Sequence, residues 1–159
     1  MPDSSVSPIP PGYEPYMPRI PYMQLIGPIY RCIRDGDEWF GIRVEPRHAN
    51  QGPMAHGGLL ASLADVALGH AAIAASTPRR TILTVSLSVD YLASAPIGSW
   101  LEAVAITERT GRSLSFANCR LLADGQPVAS GRAVMKYVSI PVQRLEDEER
   151  PHHSSTCTV

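Results

Sequence analysis

The chain has 159 residues, 44% hydrophobic and 18% charged, with a formal net charge of -1 and a pI near 6.5. That is enough for one domain with a sizeable core, and it supplies no basic field for nucleic acid or an anionic membrane surface. Three scattered cysteines, Cys32, Cys119 and Cys157, have no metal-ligand spacing, and their odd count argues against a disulfide framework. With no signal-peptide pattern at the N-terminus and the longest apolar run broken by Asp65 and His70, a soluble cytoplasmic protein without a membrane span is the expectation.

Residues 1–22 hold seven of the fifteen prolines, which denies regular hydrogen bonding and favours extended backbone. This reads as an N-terminal extension, either a linker or, through Tyr13, Tyr16 and Tyr22, a docking segment. The domain proper is placed at 23–140. Residues 29–34 and 39–44 flank Asp35-Gly36, the pair that supplies the positive φ of a tight hairpin. A polar loop, 46–55, then leads into an apolar stretch over 58–75 that predicts a helix buried on most of its circumference, ended by Thr77-Pro78. Arg79 and Arg80 would complement the dipole at its C-terminus.

Beyond the helix the period changes to two. Leu83, Val85, Leu87, Val89 and Tyr91 alternate with small polar residues, which predicts one strand with a single apolar face. Strands over 100–108, 114–122 and 128–138 follow, the last two joined by Asp124-Gly125. Small residues at Ala129, Gly131 and Ala133 would let a helix approach closely. Residues 141–159 read as a mobile, solvated tail, its His152, His153 and Cys157 included. The order predicts an α+β domain: one long central helix wrapped by a curved antiparallel sheet of about six strands.

A charge inside so apolar a helix is costly and wants a reason. On a wheel of about 100° per residue, Asp65 shares its face with Ala61, Ser62, Gly69 and Ala72. These small side chains predict room beside the carboxylate for a ligand or another subunit. Gly57 and Gly58 leave backbone amides unshielded at the helix N-terminus, where they can hold an oxyanion. Asn50 can add a side-chain donor and His56 can orient a substrate or leaving group. Asp65 lies about two turns further on, too far to act on an atom held by its own chain's amides, so a second subunit is the simple way to complete a site. Asp65 and His70 diverge by roughly 140° on the helix and do not form a working pair. No nucleophile elbow, phosphate loop, dinucleotide fingerprint or zinc-ligand pair is present.

The stretch PRHANQGPMAHGGLLASLAD resembles the signature of the PaaI-like acyl-CoA thioesterases of the hotdog fold, and TVSLSVDYLASAPIGS, RTGRSLSFANCRL and DGQPVASGRAVM are similar to that family's last four strands. The family places an Asn or Gln six positions before the HGG histidine and an acid nine positions after it, here Asn50, His56 and Asp65. The resemblance implies hydrolysis of an acyl-CoA, with no metal or added cofactor, by a homodimer whose active sites are shared between subunits, often paired again into a tetramer. It implies that Gly57 N–H and Asn50 polarise the thioester carbonyl, that His56 lies near the sulfur, and that Asp65 of the neighbouring chain acts as general base or nucleophile. Thr84 matches a Ser or Thr that positions the water, whereas Gly69 stands where some relatives carry a hydroxyl residue. Gly58, Ser62 and Gly69 are the expected substrate contacts, and Arg112, Arg79 and Arg80 are candidates for the nucleotide phosphates. Two alternatives stay open: a hotdog hydratase or dehydratase, which needs a histidine such as His48 or His70 beside the acid, and a non-catalytic acyl-CoA binder.

Overall fold

The structure, a computed structural model, describes residues 8–16 and 20–139; the predicted C-terminal tail lies outside them. Chain order is β1 (Glu14–Tyr16), α1 (Pro21–Ile26), β2 (Ile29–Arg34), β3 (Asp37–Arg43), a 3-10 turn (Pro46–His48), α2 (Gly57–Ala74), β4 (Thr81–Tyr91), β5 (Trp100–Thr110), β6 (Leu114–Ala123) and β7 (Gln126–Val138). All pairings are antiparallel, and the seven strands form one sheet in the order β1-β2-β3-β5-β6-β7-β4. The α2 helix packs on that sheet, as the hotdog resemblance implies. Asp35 and Gly36, and again Asp124 and Gly125, take positive φ, the geometry that turns an Asp-Gly pair into a two-residue hairpin.

The core lies between α2 and the sheet. Leu63, Ala64, Leu68 and Ala72 of the helix meet Phe40, Ile42, Leu101, Ala103, Leu121 and Met135, none more than 1% exposed. Small residues on β7 govern how closely the helix approaches. A Cβ on Gly131 would stand 2.8 Å from Cys119 Sγ and 3.8 Å from Ala64 Cβ. Burial pushes the Cys119 thiol up to about 11, as expected for a thiolate denied water.

The N-terminal segment supplies a seventh strand. Its tyrosines dock through their hydroxyls: Tyr13 donates to Glu102 Oε2 at 2.7 Å and packs edge-on to Trp100, and Tyr16 Oη lies 2.8 Å from His70 Nε2. Burial, with the Glu102 carboxylate behind it, raises the Tyr13 pKa well above the ordinary phenol. Tyr22, from α1, reaches Ser62 Oγ at 2.7 Å.

Two sequence expectations are corrected. The β4 strand does not keep one apolar face, because its register against β7 slips between Thr84 and Ser86, leaving Val85 as an extra residue. Such a bulge reverses the phase of alternation. Ile82 and Thr84 therefore face α2 together with Leu87 and Val89, while Leu83 and Val85 are 51% and 60% exposed. Arg80 does not cap the helix: it donates to the carbonyl of Arg112 at 2.7 Å and stacks 3.5 Å from the centre of the Tyr137 ring.

Candidate active site

The loop before α2 is fixed largely by backbone hydrogen bonds. His48 is buried and uses both ring nitrogens: Nδ1 accepts from Glu45 N–H at 3.0 Å and Nε2–H donates to the Ile26 carbonyl at 2.8 Å. Bridges from Ala49 to Ala55 and from Met54 to Pro96 pinch the segment between them. Within it, Asn50 N–H donates to the Met54 carbonyl at 2.8 Å, and Asn50 Oδ1 accepts from Gly52 N–H at 2.7 Å. With its oxygen so used, the exposed Asn50 retains Nδ2 as a donor.

His56 is the N-cap of α2. Its backbone is extended, its carbonyl accepts from Leu59 N–H at 2.9 Å, and its Nδ1 accepts from Gly58 N–H at 2.9 Å. The bond fixes the neutral imidazole as the Nε2–H tautomer and leaves that N–H on the exposed edge of the ring. Gly58 N–H is thus occupied by the cap. Gly57 N–H has no acceptor among the described residues and stands at the positive end of an 18-residue helix.

Eight residues along, about 12 Å at the helical rise, half-buried Asp65 accepts from Thr84 Oγ1 at 2.8 Å. The bulge at Val85 turns Thr84 inward to make this bond. No cation lies within ion-pair distance of Asp65 among the described residues. His70 is engaged elsewhere: its Nε2 meets Tyr16 Oη and its Nδ1 lies 3.0 Å from Glu38 Oε2. Neither His48 nor His70 is thus available to Asp65.

The other expected contacts divide. Ser62 Oγ donates to the Gly58 carbonyl at 2.7 Å and is met by Tyr22, so it braces the first turn of the helix. The room expected beside Asp65 is partly filled, since a Cβ on buried Gly69 would stand 3.3 Å from Ile82 Cδ1. Glycine there lets β4 close on the helix. Arg112 lies in the β5–β6 turn beside Arg80, at the opposite end of α2 from Gly57, about 27 Å along the helix. A cavity of about 340 Å³ opens at the Gly57 end, lined by Asn50, Met54, Gly57, Leu60, Tyr91 and Leu92. The sequence marks Tyr91 only as an apolar strand position, yet its hydroxyl donates to the Gly57 carbonyl at 3.0 Å. The only sequence signal for this was a hydroxyl-bearing aromatic at the end of the strand.

Known proteins bear on this geometry. Residues 52–135 match the thioesterase superfamily. An esterase-named protein of Pseudomonas aeruginosa is 35% identical over 128 residues, which cover 79% of this chain and 95% of that protein. Among solved structures, the zebra fish thioesterase superfamily member 2 is 27% identical with a TM-score of 0.62, over 70% of this chain and 81% of that one. A mutant of the phenylacetic acid degradation protein PaaI from Thermus thermophilus is 25% identical with a TM-score of 0.63, over 74% of this chain and 99% of that one.

Proposed function

Since this chain belongs to the thioesterase superfamily and is a PaaI-like hotdog protein, we propose that it hydrolyses acyl-CoA thioesters to the free acid and coenzyme A in active sites shared across a homodimer. The observation that carries this reading is the separation on α2 between the unpaired Gly57 N–H at its start and the Thr84-held Asp65 about 12 Å along it. A donor and a base so far apart cannot act on one carbonyl within one chain. They complete two sites when two chains meet.

The meeting surface is the β4 edge. It ends the sheet, runs for eleven residues and carries exposed Leu83 and Val85. An uncovered apolar edge of this length invites strand pairing. Its Tyr91 end touches Gly57 and its Thr81 end lies near Arg80. Antiparallel pairing of two β4 edges therefore brings the Gly57 end of one chain toward the Asp65 half of the other. It also brings Arg79 and Arg112, whose guanidinium groups have no partner among the described residues, toward the substrate's phosphates.

In such a site Gly57 N–H and Asn50 Nδ2 donate to the thioester oxygen as it gains charge. The partner chain's carboxylate at position 65 takes a proton from water, which attacks the carbonyl carbon. The Thr84 hydroxyl holds that carboxylate. The C–S bond breaks, and His56 Nε2–H lies on the side where the thiolate leaves. No metal is required. Purified protein assayed for thiol release across short, medium, long and aromatic acyl-CoAs is expected to turn over at least one of them. Saturable binding without release anywhere in the panel would instead indicate a binding protein.

A further inference from the structure

Tyr91 exchanges no proton with substrate in the proposed reaction, yet it is built into the carbonyl half-site. A Cβ on Gly57 would stand 3.1 Å from Tyr91 Cζ and 3.2 Å from Cε1 and Oη, so the ring lies directly on Gly57. The Tyr91 hydroxyl donates to the Gly57 carbonyl at 3.0 Å, while the N–H of the same peptide unit, that of Gly58, donates to His56 Nδ1 at 2.9 Å. The Gly57–Gly58 peptide is thereby held at both ends by side chains from different elements. Two consecutive glycines have the softest backbone available, and an oxyanion donor works best when held within about 0.5 Å of its productive position.

We propose that Tyr91 is the positioning residue for the oxyanion-binding amide. Its hydroxyl and ring fix the φ and ψ of Gly57 so that the free N–H keeps one direction. Its ring, with Met54, Leu60 and Leu92, also walls the 340 Å³ cavity beside that amide on the side that receives the apolar acyl group. The catalytic part of this inference rests on the thioesterase reading; the clamp itself does not.

The test is Tyr91→Phe, which keeps the ring and deletes the hydroxyl. A donor used in the transition state predicts a five- to twenty-fold fall in kcat with KM within two-fold of wild type. A kcat within two-fold of wild type, or a raised KM at unchanged kcat, overturns the positioning role. Amide hydrogen exchange reads the clamp without any substrate: Gly58 N–H should exchange several-fold faster in Tyr91→Phe while Ala67 and Leu68 keep wild-type protection. Equal Gly58 exchange in the two proteins overturns the clamp. Absence of thiol release by the wild type would sink the thioesterase reading and the role in turnover with it, while exchange still decides the contact. Tyr91→Ala should raise kcat/KM for the bulkiest accepted acyl-CoA relative to the smallest, and an unchanged ratio overturns the wall.

Discussion

Asp65 owes its position to two residue choices that act together. The helix around it is apolar, so the carboxylate keeps its place through the Thr84 hydroxyl and through whatever water or substrate reaches its free oxygen. Asp65→Asn keeps the size and the bond to Thr84 while removing the base. Thiol release should fall about 100-fold or more, with circular dichroism and oligomeric state unchanged. Thr84→Val removes one hydrogen bond to a charged group, worth roughly 1.5–3 kcal/mol, and should lower kcat about ten-fold. A third residue-scale prediction concerns Cys119, 4% exposed, whose pKa rises from 9.0 to about 11 on folding. A raised folded pKa stabilises the native state fully below the unfolded value, and that stability drains as pH climbs from 9.0 toward about 11, because the unfolded thiol ionises first. Wild type should lose on the order of 2 kcal/mol across that window relative to Cys119→Ala, read as a steeper alkaline fall in the urea midpoint.

At the scale of elements, β4 shows what the sequence could and could not say. Its existence and strand character follow from the alternation over 83–91, as the Asp-Gly turns announce the two hairpins, while the strand itself begins two residues earlier, at Thr81. The bulge does not follow, since Thr84-Val85-Ser86 reads as unbroken alternation and the slip is set by the β7 register, where Thr84 opposes Met135 and Ser86 opposes Val134. The N-terminal strand was hidden for the same reason. Nothing local makes Glu14–Tyr16 a strand; Tyr13 and Tyr16 are held by Glu102 and His70, residues 89 and 54 positions away. Of the candidate site, the sequence carries the spacing of Asn50, His56 and Asp65 on which the proposal rests, whereas the partners of Ser62, Gly69 and Tyr91 depend on how α1 and β4 lie against α2. The bulge has a testable signature. Because Val85 is the unpaired residue, deleting it closes the ladder without moving any other partner. The deletion should leave stability within about 1–2 kcal/mol of wild type. Deleting Ser88 instead turns every residue before it to the wrong face and should prevent folding, as soluble yield and thermal melts will show.

At the scale of the whole molecule, the half-sites and the open edge make one demand. On the proposed chemistry a single chain offers an amide donor without a base and a base without a donor, and the exposed Leu83 and Val85 lie on the strand whose Thr84 bonds Asp65. Charge on this edge should separate the chains without unfolding them, since neither side chain enters the core. Leu83→Lys with Val85→Lys should therefore sediment as a monomer, melt cooperatively and release no thiol. A stricter prediction distinguishes shared sites from a dimer that merely stabilises each chain. Asp65→Asn and Asn50→Ala each disable both sites of their own homodimer. In a mixed dimer, one site joins the mutant carboxylate position to the mutant amide and is dead, while the other joins intact Asn50 to intact Asp65. Random assortment makes half the dimers mixed, with one live site of two, so co-refolding the inactive variants should restore roughly a quarter of wild-type turnover. If each site were built within one chain, every site would carry a lesion and mixing would restore nothing.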